Sequence, residues 1–124
     1  MRRLSVAVAA IALAAVLSPA AARTSTHEVA AAGGPFGPTW RWDPAAVDVA
    51  RKDRVVWRNP TSTTHHVTFY GGPLEGKTLH VPAGGSAKLR LKKAGSYPYR
   101  CDIQGHSELV GGLCIGQCGE ITVE

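Results

Sequence analysis

From Trp40 onward the chain alternates apolar and polar residues in short runs. Val47 and Val49 flank Asp48, Val55 and Trp57 alternate with Val56 and Arg58, and Ala87, Leu89 and Leu91 alternate with Lys88 and Arg90. A period of two, enriched in valine and tryptophan, predicts strands with one buried face. Turn residues punctuate the runs. Arg51-Lys52-Asp53-Arg54 reads as a turn, and Asn59-Pro60-Thr61-Ser62-Thr63-Thr64 as a loop in which Pro60 cannot donate to a ladder. Further strands are expected over His66 to Tyr70, Thr78 to Val81, Ser96 to Cys101 and Glu120 to Val123. About seven short strands without helical periodicity predict an all-β chain, two sheets packed as a β-sandwich.

The first residues read differently. A basic start, Met1-Arg2-Arg3, precedes an apolar run from Leu4 to Leu17, then Ser18-Pro19 and the small residues Ala20-Ala21-Ala22. This is the layout of a secretory signal peptide, too short for a comfortable membrane span. A retained anchor is the alternative. The expected organisation is a signal peptide over 1–22, a flexible segment over 23–39 in which His27 is solvated, and a folded domain over 40–124. About 100 residues would remain, enough for one core. An exported monomer is expected, in a periplasm or cell-surface space and without stable membrane insertion.

Charge adds little. The formal charge of +5 falls by two when Arg2 and Arg3 leave. Lys88, Arg90, Lys92 and Lys93 form a solvated strand face with no interleaved aromatics to stack on bases, so no nucleic-acid partner is expected.

The cysteines change the picture. An exported chain with three of them has one left over for a metal, a free thiol or an intermolecular bond. Pairing Cys114 with Cys118 is the most economical arrangement in an oxidising compartment and leaves Cys101 over, although the other two pairings stay open. Cys101 follows a strand-like run and has four residues between it and His106. The pair His65-His66 lies upstream. Two imidazoles and one thiolate, with a weak axial fourth ligand, are the donor set of a blue-copper electron-transfer site. The plainer reading of Cys101 is a buried free thiol. His80 reads as a surface or structural residue.

Several pieces, in order, carry a resemblance. They are Trp42-Asp43-Pro44-Ala45-Ala46-Val47-Asp48-Val49, Val55-Val56-Trp57-Arg58-Asn59, His65-His66-Val67-Thr68-Phe69, and Gly95-Ser96-Tyr97 through Cys101 to Gly119-Glu120-Ile121-Thr122-Val123. Together they resemble the cupredoxins, the plastocyanin/azurin-type small copper proteins, over roughly Trp42 to Glu124. The resemblance implies a Greek-key β-sandwich and one type 1 copper. It selects His65, six residues after Asn59, over His66, whose side chain should point away. It carries the other strong ligands to Cys101 and His106.

Two departures stand out. The spacing from Cys101 to His106 is longer than in plastocyanin, where the matching position would be Gln104. The usual axial methionine is missing, since the only methionine is Met1. Gln117 is the remaining axial candidate, an amide oxygen being an accepted substitute; an exposed loop glutamine is the alternative. The expected function is a one-electron carrier between redox proteins, not an enzyme. Copper delivery or storage, or a metal-free interaction domain, are the competing functions. The short length and the lack of His-x-His pairs exclude a multicopper oxidase. Leu109, Val110 and Leu113 could form an apolar rim for a partner.

Overall fold

The computed structural model describes residue 7 and residues 24–34 and 39–124. The expected signal peptide lies outside the described residues, apart from Ala7. Eleven strands are described, with a single 3-10 turn at Gly72–Leu74. They are β1 (Thr26–Ala32), β2 (Arg41–Asp43), β3 (Ala46–Val49), β4 (Arg54–Arg58), β5 (His65–Phe69), β6 (Thr78–Val81), β7 (Ser86–Arg90), β8 (Gly95–Arg100), β9 (Ser107–Val110), β10 (Leu113–Gly116) and β11 (Cys118–Val123).

One sheet has the order β2-β1-β4-β7 and the other β3-β11-β8-β5-β6, while β9 and β10 pair only with each other. Their inward faces make the core. Val29, Trp42, Val55 and Trp57 come from the first sheet; Val67, Phe69, Val81, Tyr97, Tyr99 and Ile121 come from the second, and all are at most 2% exposed. The alternation of valine and aromatic residues is thus the alternation of a pleated strand with one dry face. At Gly119 a Cβ would sit 2.2 Å from Tyr99 Cζ, so the absent side chain there makes room for the phenol ring at the centre of the sandwich.

Two expectations need correction. Residues 26–32, expected to be flexible, form β1 at the middle of the first sheet, parallel to β4 with Val29 opposite Trp57. Burial of Val29 and Ala31 supplies the driving force. His27 is not simply solvated: its Nε2 lies 2.9 Å from Asp53 Oδ2. Asp53 also accepts from the backbone N–H groups of Ser25 and Ala50, tying β1 to the β3–β4 turn. These bonds, the His27 contact first, hold the Asp53 carboxyl below its usual range. The folded unit therefore begins before residue 40.

The strand count is the second correction. The stretch between Cys101 and Cys118 is a hairpin, β9–β10, and not an open loop. Gly111 and Gly112 take φ of 57° and 82°, the left-handed pair that a tight two-residue hairpin turn requires.

Candidate metal centre

Three segments converge at one end of the sandwich. His65 opens β5 with its side chain inward. Cys101 follows the last residue of β8. His106 and Gln117 bracket the β9–β10 hairpin. The backbone fixes their mutual placement: Cys101 N–H donates to Gln117 O at 3.0 Å, and Gln117 N–H donates to His106 O at 2.9 Å. The Ser107 hydroxyl donates to Cys101 O at 2.5 Å. Arg100 in turn donates to Ser107 Oγ at 3.0 Å.

The donor atoms crowd together. His65 Nδ1 is 3.2 Å from His106 Nδ1, and His106 Nδ1 is 3.3 Å from Cys101 Sγ. Gln117 Oε1 lies 2.9 Å from His65 Nδ1 and 3.3 Å from His106 Nδ1. His65, Cys101 and His106 form a group whose ligand atoms all lie within 4.8 Å of one another. Imidazole nitrogens and thiolates bind a metal at about 2.0–2.3 Å, so atoms sharing one ion sit about 3–4 Å apart, and the contacts of His106 Nδ1 with His65 Nδ1 and Cys101 Sγ fall in that range. All four predicted site residues are therefore brought together. Gln117, which could have been an exposed loop residue, is fully buried, as are His65 and Cys101. His106 is half-buried and is the ligand candidate nearest to solvent.

Hydrogen bonds behind His65 assign its tautomer. Asn59 is buried, and its Nδ2 donates to Thr63 O and Val81 O. Its Oδ1 is left to accept from the Thr61 hydroxyl at 2.6 Å. Having given its proton to a carbonyl-type oxygen, Thr61 Oγ1 accepts from His65 Nε2–H at 3.0 Å. His65 Nδ1 is then a bare lone pair facing the cluster. On its other side Gln117 Nε2 faces Arg41 O at 3.5 Å, which turns Oε1 inward. Two acceptors, Nδ1 and Oε1, thus face each other in a dry site, an arrangement that a cation relieves. An oriented imidazole with its far nitrogen held by a hydrogen bond is how metal ligands are set in place.

The electrostatics agree. Burial, then the neighbouring His106, pushes the His65 pKa down to about 4, against the Gln117 oxygen, which raises it by accepting from the ring once it is protonated. Burial pushes the Cys101 thiol up, although the His66 N–H, 3.2 Å from Sγ, favours the thiolate. Without a cation this thiol keeps its proton, and a bound metal would replace it.

His66 turns away from the cluster, as expected. Its Nδ1 lies 2.7 Å from Asp102 Oδ1. Two tryptophans complete the site without having been marked as site residues. Trp40 stacks on His106, with ring centroids 5.3 Å apart and planes at 21°, and meets His65 edge-on at 4.7 Å. Trp42 packs on His65 at 5.9 Å. They shield the imidazoles from water from the opposite sheet, and no spacing along the chain announces such a contact. Cys114 and Cys118 are joined by a disulfide that spans Gln117, and Cys101 is free.

No protein-family model matches the chain. Solved structures of amicyanin match it. A lysine-for-methionine variant of amicyanin in its oxidized form is 22% identical, with a TM-score of 0.58, covering 80% of this chain and 82% of that one. The Cu(I) form of a glutamine-for-methionine variant of amicyanin is 24% identical at the same TM-score and coverage. The chain has the cupredoxin fold. Among the described residues no helix is long and apolar enough to cross a membrane.

Proposed function

We propose that the chain is an exported carrier of single electrons that holds one copper ion on His65, Cys101 and His106, with the Gln117 amide oxygen as weak fourth ligand. The observation that carries this reading is the convergence of two imidazoles, a thiol and an amide oxygen on one dry point, with the tautomer of His65 set for ligation. A soft thiolate with two imidazoles suits copper, which supplies a one-electron couple.

The protein's part is to keep that donor set still. Cys101 and Gln117 are pinned to each other through the backbone, His65 through Asn59 and Thr61, and His106 by the face of Trp40. Little has to move when an electron arrives or leaves. The half-buried edge of His106 is the short path to a partner. Beside it the hairpin exposes Leu109, Val110, Leu113 and Ile115, which are 43–72% exposed. Such an apolar face fits transient docking of a redox protein. The oxidised Cys114–Cys118 pair and the N-terminal apolar run support export.

Voltammetry of the copper-loaded protein tests the carrier reading. It predicts a reversible one-electron wave and rapid electron exchange with a small redox protein. A chain that binds copper only as colourless Cu(I), with no reversible wave, would instead be a delivery or storage protein. A chain that binds no stoichiometric copper would be a metal-free interaction domain.

A further inference from the structure

His66 and His80 lie outside the cluster and face each other. They are directly opposed across the antiparallel β5–β6 pair, and their side chains point away from the core that His65 and Val67 enter. His66 Nε2 is 3.1 Å from His80 Nδ1. The other His66 nitrogen lies against the Asp102 carboxylate, which can only accept, so in the neutral ring Nδ1 carries the proton and Nε2 offers a lone pair.

The shape of this pair is informative. A straight N–H···N bond of this length would put the ring centroids about 5.3 Å apart. They are 4.6 Å apart with planes at 87°, so the two nitrogens aim at a point to one side of the line between them. The convergent pair His65 and His106 has the same form, with 3.2 Å between nitrogens and 5.0 Å between centroids. Two imidazole nitrogens bound to one ion at about 2.0–2.1 Å, at an angle of about 90–110°, lie about 2.9–3.4 Å apart. A carboxylate behind the bound imidazole is the usual support of such a ligand.

We propose that His66 and His80 form a second, surface site for a divalent transition-metal ion of the zinc and copper(II) class, with Asp102 orienting His66 and water filling the open positions. The nearby cation Arg100, opposite Thr68 in the adjoining β5–β8 register, is turned toward Ser107. The site also adjoins the first cluster. The His66 N–H donates to Cys101 Sγ, and Asp102 follows Cys101 in the chain. An added positive charge here favours the electron-rich state of that cluster; this consequence, unlike the site itself, rests on the copper reading.

Zinc titration of the metal-stripped full chain by calorimetry, with the Cys101 thiol free and the Cys114–Cys118 disulfide intact, tests the site. The wild type should bind two equivalents. Cys101→Ala should retain the one held by His66 and His80, and His80→Ala, a change at an exposed strand position, should lose it. Asp102→Asn should keep the stoichiometry and weaken this equivalent about 10–100-fold. Equal stoichiometry and affinity in the wild type and His80→Ala would overturn the proposal, as would no binding by Cys101→Ala. One equivalent in the wild type and none in His80→Ala would support this site and count against the first cluster as a metal centre.

Discussion

His65 gives the metal-free protein a predictable weakness to acid. Its side chain is fully buried, and its pKa falls from 6.5 to about 4, burial being the larger cause and His106 the next. The folded chain therefore takes up this proton less readily than the unfolded chain. Above pH 6.5 the imidazole is neutral in both states and the difference vanishes. As the pH falls below 6.5 the unfolded chain protonates first, and stability declines until the folded pKa near 4 is passed. The full loss is about 3 kcal/mol, most of it by pH 4.5. Asp53 and Asp102, whose carboxyls are held below 3.8, lose their contributions only at lower pH and leave this window clear. The assay is urea unfolding of chelator-treated, reduced protein at pH 7.5 and pH 4.5. With a slope of about 1–1.5 kcal/mol/M, the wild-type midpoint should drop by about 2 M. His65→Gln, which cannot titrate, should be less stable at pH 7.5 but should lose far less stability than the wild type between the two pH values. An equal loss in both proteins would refute the reasoning.

Other residues give separate tests. Gln117→Met replaces a hard oxygen facing both imidazoles by a thioether that favours Cu(I), so the reduction potential of copper-loaded protein should rise by about 50–100 mV, at about 59 mV per 1.4 kcal/mol. An unchanged potential would remove Gln117 from the site. Replacing Cys114 and Cys118 together by serine opens a short ring with a sequence separation of 4, and thermal unfolding should report a loss of about 2 kcal/mol. Gly119→Ala forces a methyl group to within 2.2–2.6 Å of the Tyr99 ring, and the melting temperature should fall by about 10–20 °C.

The strands that bury bulky residues were legible in the chain. Val67 with Phe69, and Ile121 with Val123, announce a pleated face because they alternate with the polar residues His66, Thr68, Glu120 and Thr122. β1 was hidden because its inward positions, Val29 and Ala31, sit among alanines that carry no period. The β9–β10 hairpin was signalled only by Gly111-Gly112 between apolar residues, because its strands are largely exposed and carry no buried-face alternation. At the candidate metal centre, the resemblance to cupredoxins implied His65, Cys101 and His106, and with no methionine after Met1 it left Gln117 as the axial candidate. Burial of Gln117 could not be read, because it depends on backbone bonds to Cys101 and His106. Trp42 on β2 and Trp40 just before it reach the imidazoles from the side of the other sheet, and the pairing of His66 with His80 depends on β5–β6 register. Contacts of that kind exist only after the chain has folded.

The central claim is that Cys101 is a copper thiolate flanked by His65 and His106. Its most direct test is visible absorption during Cu(II) titration of protein whose Cys101 thiol is free and whose Cys114–Cys118 disulfide is intact. An intense thiolate-to-copper band should grow to one equivalent in the wild type and be absent in Cys101→Ser folded to the same far-UV spectrum. A wild type that stays colourless with Cu(II), or a band that survives in Cys101→Ser, would contradict the claim.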